Sequence, residues 1–95
     1  MKINRETGEV KIGDTKANLT RYEIRALEAL NKPGITTYQE LYKNIYGVAV
    51  NELEESERRL LYSTICRIRR KLNGKIKIHR RNQYGYELEV TNGKV

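Results

Sequence analysis

Basic side chains are concentrated in one quarter of this 95-residue chain. Residues 58–81 contain ten Lys and Arg and neither Asp nor Glu, although the formal charge of the whole chain is only +7. Ten cations without acidic neighbours repel one another, and the repulsion lowers stability unless a polyanion relieves it. The segment therefore favours a ligand that carries phosphate groups. The alternative is a solvated basic face that only keeps the chain soluble.

The residue types needed for catalysis or metal binding are scarce. Cys66 and His79 are the only Cys and His, which excludes an internal disulfide and a zinc site with four Cys or His ligands. The sequence contains no Gly-rich phosphate loop, and the basic segment has no paired carboxylates for a nuclease. We therefore expect no enzymatic activity, no metal and no cofactor.

The sequence also lacks a segment that would take it into a membrane. The longest uninterrupted apolar run is Val48-Ala49-Val50, whereas a spanning helix needs about 20 apolar residues. The first residues carry charges where a signal peptide would be apolar. We expect a cytoplasmic protein with no membrane partner, organised as a single domain over residues 1–95.

Short strands and two capped helices precede the basic segment. Residues 1–19 contain short runs with the composition of strands, and two turn sequences separate these runs. This pattern predicts an N-terminal antiparallel sheet. Thr20 and Thr37 are each followed three residues later by Glu, the pattern of a capping box. These boxes predict a first helix over residues 20–32 and a second over residues 37–46.

The basic segment itself predicts a third helix and a hairpin. A helix over residues 56–73 places four apolar side chains on one side, namely Leu61, Ile65, Ile68 and Leu72. The opposite side then carries Arg59, Ser63, Cys66 and Arg70, with Tyr62 and Arg67 at its borders. Residues 75–90 alternate on both sides of a polar stretch at residues 79–84, which predicts a β-hairpin with a basic tip.

Three helices followed by a basic hairpin predict an α+β fold of the winged helix-turn-helix type. A helix fits the major groove of DNA, where Arg can pair with guanine. A hairpin tip with Arg can reach the adjacent minor groove, whose negative potential attracts guanidinium groups. Double-stranded DNA is therefore the expected partner. An RNA-binding or protein-interaction module on the same scaffold is the alternative, although few aromatic residues lie near the basic face to stack on single-stranded bases.

Several short motifs occur in an order that is typical of one family. They are Leu19-Thr20 with Glu23 and Leu27, Gln39-Glu40-Leu41, Ile45-Tyr46-Gly47, Arg67-Ile68-Arg69-Arg70-Lys71-Leu72 and Gly85-Tyr86-Glu87-Leu88. This order resembles the C-terminal effector domains of OmpR/PhoB-type bacterial response regulators, over nearly the whole chain. The resemblance implies transcription regulation within a two-component system. Because 95 residues leave no room for a receiver domain, the chain is expected to be an excised effector domain or a stand-alone regulator.

The resemblance also implies a four-stranded N-terminal sheet and DNA contacts from Arg59, Arg67 and Arg69 on the third helix. It further implies that an Arg of the hairpin enters the minor groove, either Arg80 or Arg81, of which Arg81 is favoured. The full set of expected DNA-binding residues is Arg59, Tyr62, Ser63, Cys66, Arg67, Arg69, Arg70, Lys71, Arg80 and Arg81. Base preference does not transfer from the family, because Tyr62, Thr64 and Cys66 depart from its usual pattern.

Two protein partners are implied as well. In the resembled family the loop between the second and third helices can contact RNA polymerase, which makes Glu52, Glu54 and Glu55 candidates in residues 48–55. The alternative for this acidic loop is simply to be solvated and to stabilise the positive end of the third helix. A second copy of the chain is expected head to tail on direct repeats.

Overall fold

The structure is a computed structural model that describes residues 1–90, so the last five residues of the predicted domain lie outside the described residues. Its fold is α+β, with three helices and two small antiparallel sheets, an arrangement compatible with a winged helix. The elements are β1 (Lys2–Ile3), β2 (Glu9–Ile12), β3 (Thr15–Asn18), α1 (Arg21–Leu30), β4 (Thr36–Thr37), α2 (Tyr38–Tyr46), α3 (Glu55–Lys71), β5 (Ile76–Arg81) and β6 (Gly85–Val90).

The N-terminal sheet has three strands in the order β1-β2-β3. The expected four-stranded sheet is therefore wrong for the described residues. The side chain of Asn4 accepts hydrogen bonds from the backbone N–H groups of Glu6 and Thr7, which folds residues 4–8 into a turn and leaves only three strand-forming runs before α1. Gly8 closes this turn with a φ of 79°, a conformation that disfavours other residues.

Both predicted capping boxes are present. The Thr20 hydroxyl accepts from the Glu23 N–H at 3.3 Å, and the Thr37 hydroxyl accepts from the Glu40 N–H at 3.1 Å. The first helix ends at Leu30, two residues before its predicted end. Pro33 disfavours helical geometry in the residue before it, which accounts for the earlier stop.

The third helix begins at Glu55 and ends at Lys71, close to its predicted bounds. Its four predicted core side chains are all fully buried. They pack with the apolar sides of α1 and α2 and with residues from both sheets in one core. This packing fixes which side of α3 is turned outward.

The second sheet has the strand order β4-β6-β5, all antiparallel. Strand β5 continues to Arg81, so the expected loop over residues 79–84 shortens to residues 82–84. Asn82 makes the short loop possible by adopting a φ of 54°, which Asn tolerates better than most residues. Strand β4, which lies between α1 and α2, ties the hairpin to the helical part of the fold.

Candidate nucleic-acid interface

The outward side of α3 carries the side chains that the sequence predicts there. Arg59, Ser63 and Arg70 are exposed, and Cys66 between them is partly exposed. Arg59 pairs with Glu55 one turn earlier at 3.1 Å, with both side chains about three-quarters exposed. The Arg70 side chain makes no hydrogen bond or ion pair with any residue in the described part of the chain. The side chains at the centre of this surface are therefore small and polar, and a guanidinium group lies at each end.

The side of α3 that faces α1 carries an ion-pair cluster. Glu23 of α1 has a side chain that is 0% exposed, and its carboxylate accepts from Arg67 Nε at 3.0 Å and from Lys71 Nζ at 2.8 Å. The Thr20 backbone N–H donates to the same carboxylate at 2.9 Å. Burial alone raises the pKa of Glu23, but Lys71, Thr20 and Arg67 together hold that pKa below its ordinary value. The carboxylate is thus kept ionised beneath the basic face.

This cluster removes Arg67 and Lys71 from the set of unpaired cations. The sequence assigns Glu23 to the capping box and to the first-helix motif of the resembled family, and the basic segment itself contains no acidic partner. The missed signal is helical spacing, because Glu23 lies four residues before Leu27 and so shares the buried side of α1. A buried acid beside a basic helix requires a cationic partner.

The other side of α3 faces the hairpin. The Arg69 guanidinium donates to the carbonyl oxygen of Ile78 in β5, so Arg69 ties the helix to the hairpin. Tyr62, also on this side, is 50% exposed. Of the two residues expected to contact DNA here, one therefore has a structural partner within the fold and the other is open to a ligand.

An open cleft of about 390 Å³ separates the start of α3 from the hairpin. Its lining combines guanidinium and phenol groups with one carboxylate, from Tyr38, Glu55, Arg58, Arg59, Tyr62, Arg80 and Tyr86. The Tyr38 hydroxyl beside Arg80 holds the pKa of Arg80 above its ordinary value. Arg58 donates to the carbonyl of Leu53 at 2.9 Å. Tyr38 and Arg58 line this cleft, although the sequence predicted no role for them in binding.

The tip of the hairpin is polar and uncharged. It consists of Asn82, Gln83 and Tyr84, and Tyr84 is 67% exposed. Arg81 is exposed at the end of β5, where its Nε pairs with Glu87 at 2.8 Å. The expected basic tip is therefore wrong in detail, because the longer β5 places both arginines in the strand.

The three acidic candidates of the α2–α3 loop differ in their surroundings. Glu54 is the N-cap of α3, and its backbone N–H donates to the Glu57 carboxylate at 2.8 Å. Glu55 lies in the first turn and pairs with Arg59. Glu52 is exposed and lines a second cleft, of about 400 Å³, together with Arg58 and Arg80. Glu54 and Glu55 thus contribute to the start of the helix.

Neither a scan against protein-family models nor a search of curated proteins finds a match for this chain. Within residues 1–90, no group of three or more His, Cys, Asp or Glu side chains is arranged to hold a metal ion. The helices of this part of the chain are too short or too polar to cross a bilayer. The geometry and charge of α3 and the hairpin are the remaining guide to function.

Proposed function

We propose that the chain binds double-stranded DNA in a sequence-specific manner and acts as a cytoplasmic bacterial transcriptional regulator. In this proposal α3 is the recognition helix and enters the major groove, while the β5–β6 hairpin reaches the minor groove. The observation that carries the proposal is the exposed side of α3, where Arg59, Ser63, Cys66 and Arg70 form an outward surface beside a basic hairpin.

Small side chains at the centre of this surface support the proposal. Ser63 and Cys66 allow the helix backbone to come close to base edges, whereas large side chains would hold it away. Arg59 and Arg70 lie on either side of them and can donate paired hydrogen bonds to guanine or bind phosphates. The ion pair between Arg59 and Glu55 is exposed and weak, so a phosphate can compete for Arg59.

The cleft between α3 and the hairpin supports a backbone contact. A DNA strand that runs from the major groove at the helix to the minor groove at the hairpin must cross this cleft. Arg58 and Arg80 line the cleft with the phenol of Tyr62, and these three groups can donate hydrogen bonds to a phosphate. The Tyr38 hydroxyl donates instead to the carbonyl of Asn82 at 3.4 Å. Arg81, at the end of β5, is the residue that we assign to the minor groove.

The regulatory part of the proposal rests on the resemblance to OmpR/PhoB-type effector domains. It includes a second copy bound head to tail on direct repeats and contact with RNA polymerase. Glu52 is the best placed of the acidic candidates, because Glu54 and Glu55 already stabilise the start of α3. Changing Glu52 to Lys should lower transcription activation although operator binding does not weaken, because the added cation lies beside Arg58 and Arg80. Unchanged activation would remove Glu52 from the contact.

The salt dependence of DNA binding tests the proposed function. If about six phosphates are neutralised, the logarithm of the affinity falls with the logarithm of salt concentration with a slope of about −5. Changing Arg59 and Arg70 together to Gln should make this slope shallower by about two. The matched control changes Lys11 and Lys16 to Gln, which removes the same charge from the exposed side of the N-terminal sheet.

The expected control result is a slope unchanged from the wild-type protein. A flat salt response of the wild-type protein on duplex DNA would refute the proposed function. Tighter binding to single-stranded RNA than to duplex DNA would favour the RNA-binding alternative, since α3 is proposed to read a duplex groove. Circular dichroism on each variant establishes that the changes in binding do not come from unfolding.

A further inference from the structure

The buried carboxylate of Glu23 pairs with Arg67 and Lys71, two cations of α3 that the sequence predicts to contact DNA. Arg67 and Lys71 each keep part of their side chain in solvent, 45% and 37% respectively, while Glu23 has none. The two contacts join α1 to α3 across 44 and 48 residues of sequence. The pairing is therefore a feature of the tertiary structure and places both cations relative to the rest of the fold.

The Arg67 guanidinium is held at two points. Its Nε donates to Glu23 Oε2 at 3.0 Å, and one terminal nitrogen donates to the Thr64 hydroxyl at 3.2 Å. Thr64 is itself buried and donates to the Leu60 carbonyl at 3.1 Å, so this second anchor is fixed as well. An arginine side chain has five N–H donors, so three remain for a ligand. The remaining donors belong to a group whose orientation is already set.

We infer that Glu23 is a positioning residue for DNA recognition, which orients the Arg67 guanidinium toward a base and keeps Lys71 beside it. The inference rests on the proposed function. A guanidinium group that is oriented before binding loses less conformational freedom on contact with DNA, which favours the matching sequence. The negative charge of Glu23 also offsets one positive charge, which weakens attraction to DNA of any sequence. Glu23 thus raises specificity and lowers nonspecific affinity.

The change Glu23→Gln separates these two effects. Glutamine keeps the shape of the side chain and an oxygen that can accept from the Thr20 N–H, but it carries no charge. The ratio between the affinity for a selected site and the affinity for the same site with one altered base pair should fall by about tenfold, the size of one lost base contact. Binding to random duplex should become tighter at low salt, and the salt slope should steepen by about one as a cation is released to bind phosphate.

The fold supplies a matched control in Glu40→Gln. Glu40 occupies the equivalent capping-box position in α2 and also pairs with a lysine, Lys32, at 2.9 Å. Its partners lie outside α3, so this change should leave both the discrimination between sites and the salt slope at wild-type values. Thermal unfolding of both variants shows how much each change costs the fold.

A second variant covers the case in which Glu23→Gln does not fold. Arg67→Lys keeps the positive charge beside Glu23 but removes the planar guanidinium group, so discrimination should fall by about tenfold with an unchanged salt slope. Wild-type discrimination in either folded variant would overturn the inference. Equal weakening on all duplexes would also overturn it, because a purely structural role predicts that result. If the wild-type protein itself fails to discriminate between duplexes, the proposed function fails instead.

Discussion

The contact between the hairpin and the helical part of the fold depends on the absence of a side chain at Gly85. A Cβ at this position would lie 2.8 Å from both the carbonyl carbon of Thr36 and the Cα of Thr37, and closer still to the Thr36 carbonyl oxygen. Ordinary contacts of this kind begin at 3.4 Å, so the change Gly85→Ala forces the backbones apart by at least about 0.6 Å. Because Gly85 has no positive φ, the cost is steric and not conformational.

The size of the effect follows from the hydrogen bonds that this movement breaks. Strands β4 and β6 pair through Thr36 with Tyr86 and through Thr37 with Gly85, and the Tyr38 N–H donates to the Tyr84 carbonyl at 3.0 Å. Loss of two or three such bonds, at about 1 kcal/mol each, should lower the free energy of unfolding by about 2–3 kcal/mol. Urea denaturation measures this change.

The change Gly34→Ala is the matched control. Gly34 has a φ of 87°, and a Cβ added there would meet nothing within 4 Å, so alanine costs only the unfavourable backbone conformation. That cost is about 1 kcal/mol. A destabilisation by Gly85→Ala that is no larger than that by Gly34→Ala would refute the reasoning, because the hairpin would then not be held by close approach of the two backbones.

Three further predictions concern the core, the buried acid and the outward cation Arg70. Ile65→Ala, at a fully buried position of α3, should cost about 2–5 kcal/mol in urea denaturation, and a cost below 1 kcal/mol would contradict the packing of α3 on the core. Since folding lowers the pKa of Glu23, its contribution to stability is present above the unfolded value of about 4.3 and is lost as pH falls through the folded value. As pH is lowered, the free energy of unfolding should therefore decrease less for Glu23→Gln than for the wild-type protein, and identical decreases would exclude this contribution. Arg70→Ala should change the free energy of unfolding by less than about 0.5 kcal/mol, because the side chain has no partner within residues 1–90. The dependence of DNA affinity on salt concentration should become shallower by about one in the logarithmic slope. A strongly destabilised Arg70→Ala variant would place Arg70 in the fold and not on the binding surface.

Features governed by local rules could be predicted from the sequence. Thr20 and Thr37 start their helices because a capping box is formed within four residues. The buried stripe of α3 follows from helical spacing alone, and its four apolar residues are all fully buried. The outward position of Arg59, Ser63 and Arg70 follows from the same spacing. For this reason the elements and one side of the candidate interface were predictable.

Features that depend on tertiary contacts could not be predicted in this way. The two-residue strand β4 has no alternation to detect, and it exists because β6 packs against it. The ion pairs of Glu23 join residues 44 and 48 positions apart, so counting acids within the basic segment could not find them. Likewise, the cleft of Tyr38, Arg58 and Arg80 forms only when the hairpin is placed beside α3.

Selection of bound duplexes from a random pool tests the central claim most directly. The protein and its Arg67→Lys variant are each used to recover DNA, and the recovered sequences are compared. Sequence-specific binding through α3 predicts that the wild-type protein enriches a short motif, and that the variant loses preference at one or a few positions of it. A recovered pool with no preferred sequence would contradict sequence-specific recognition by this chain.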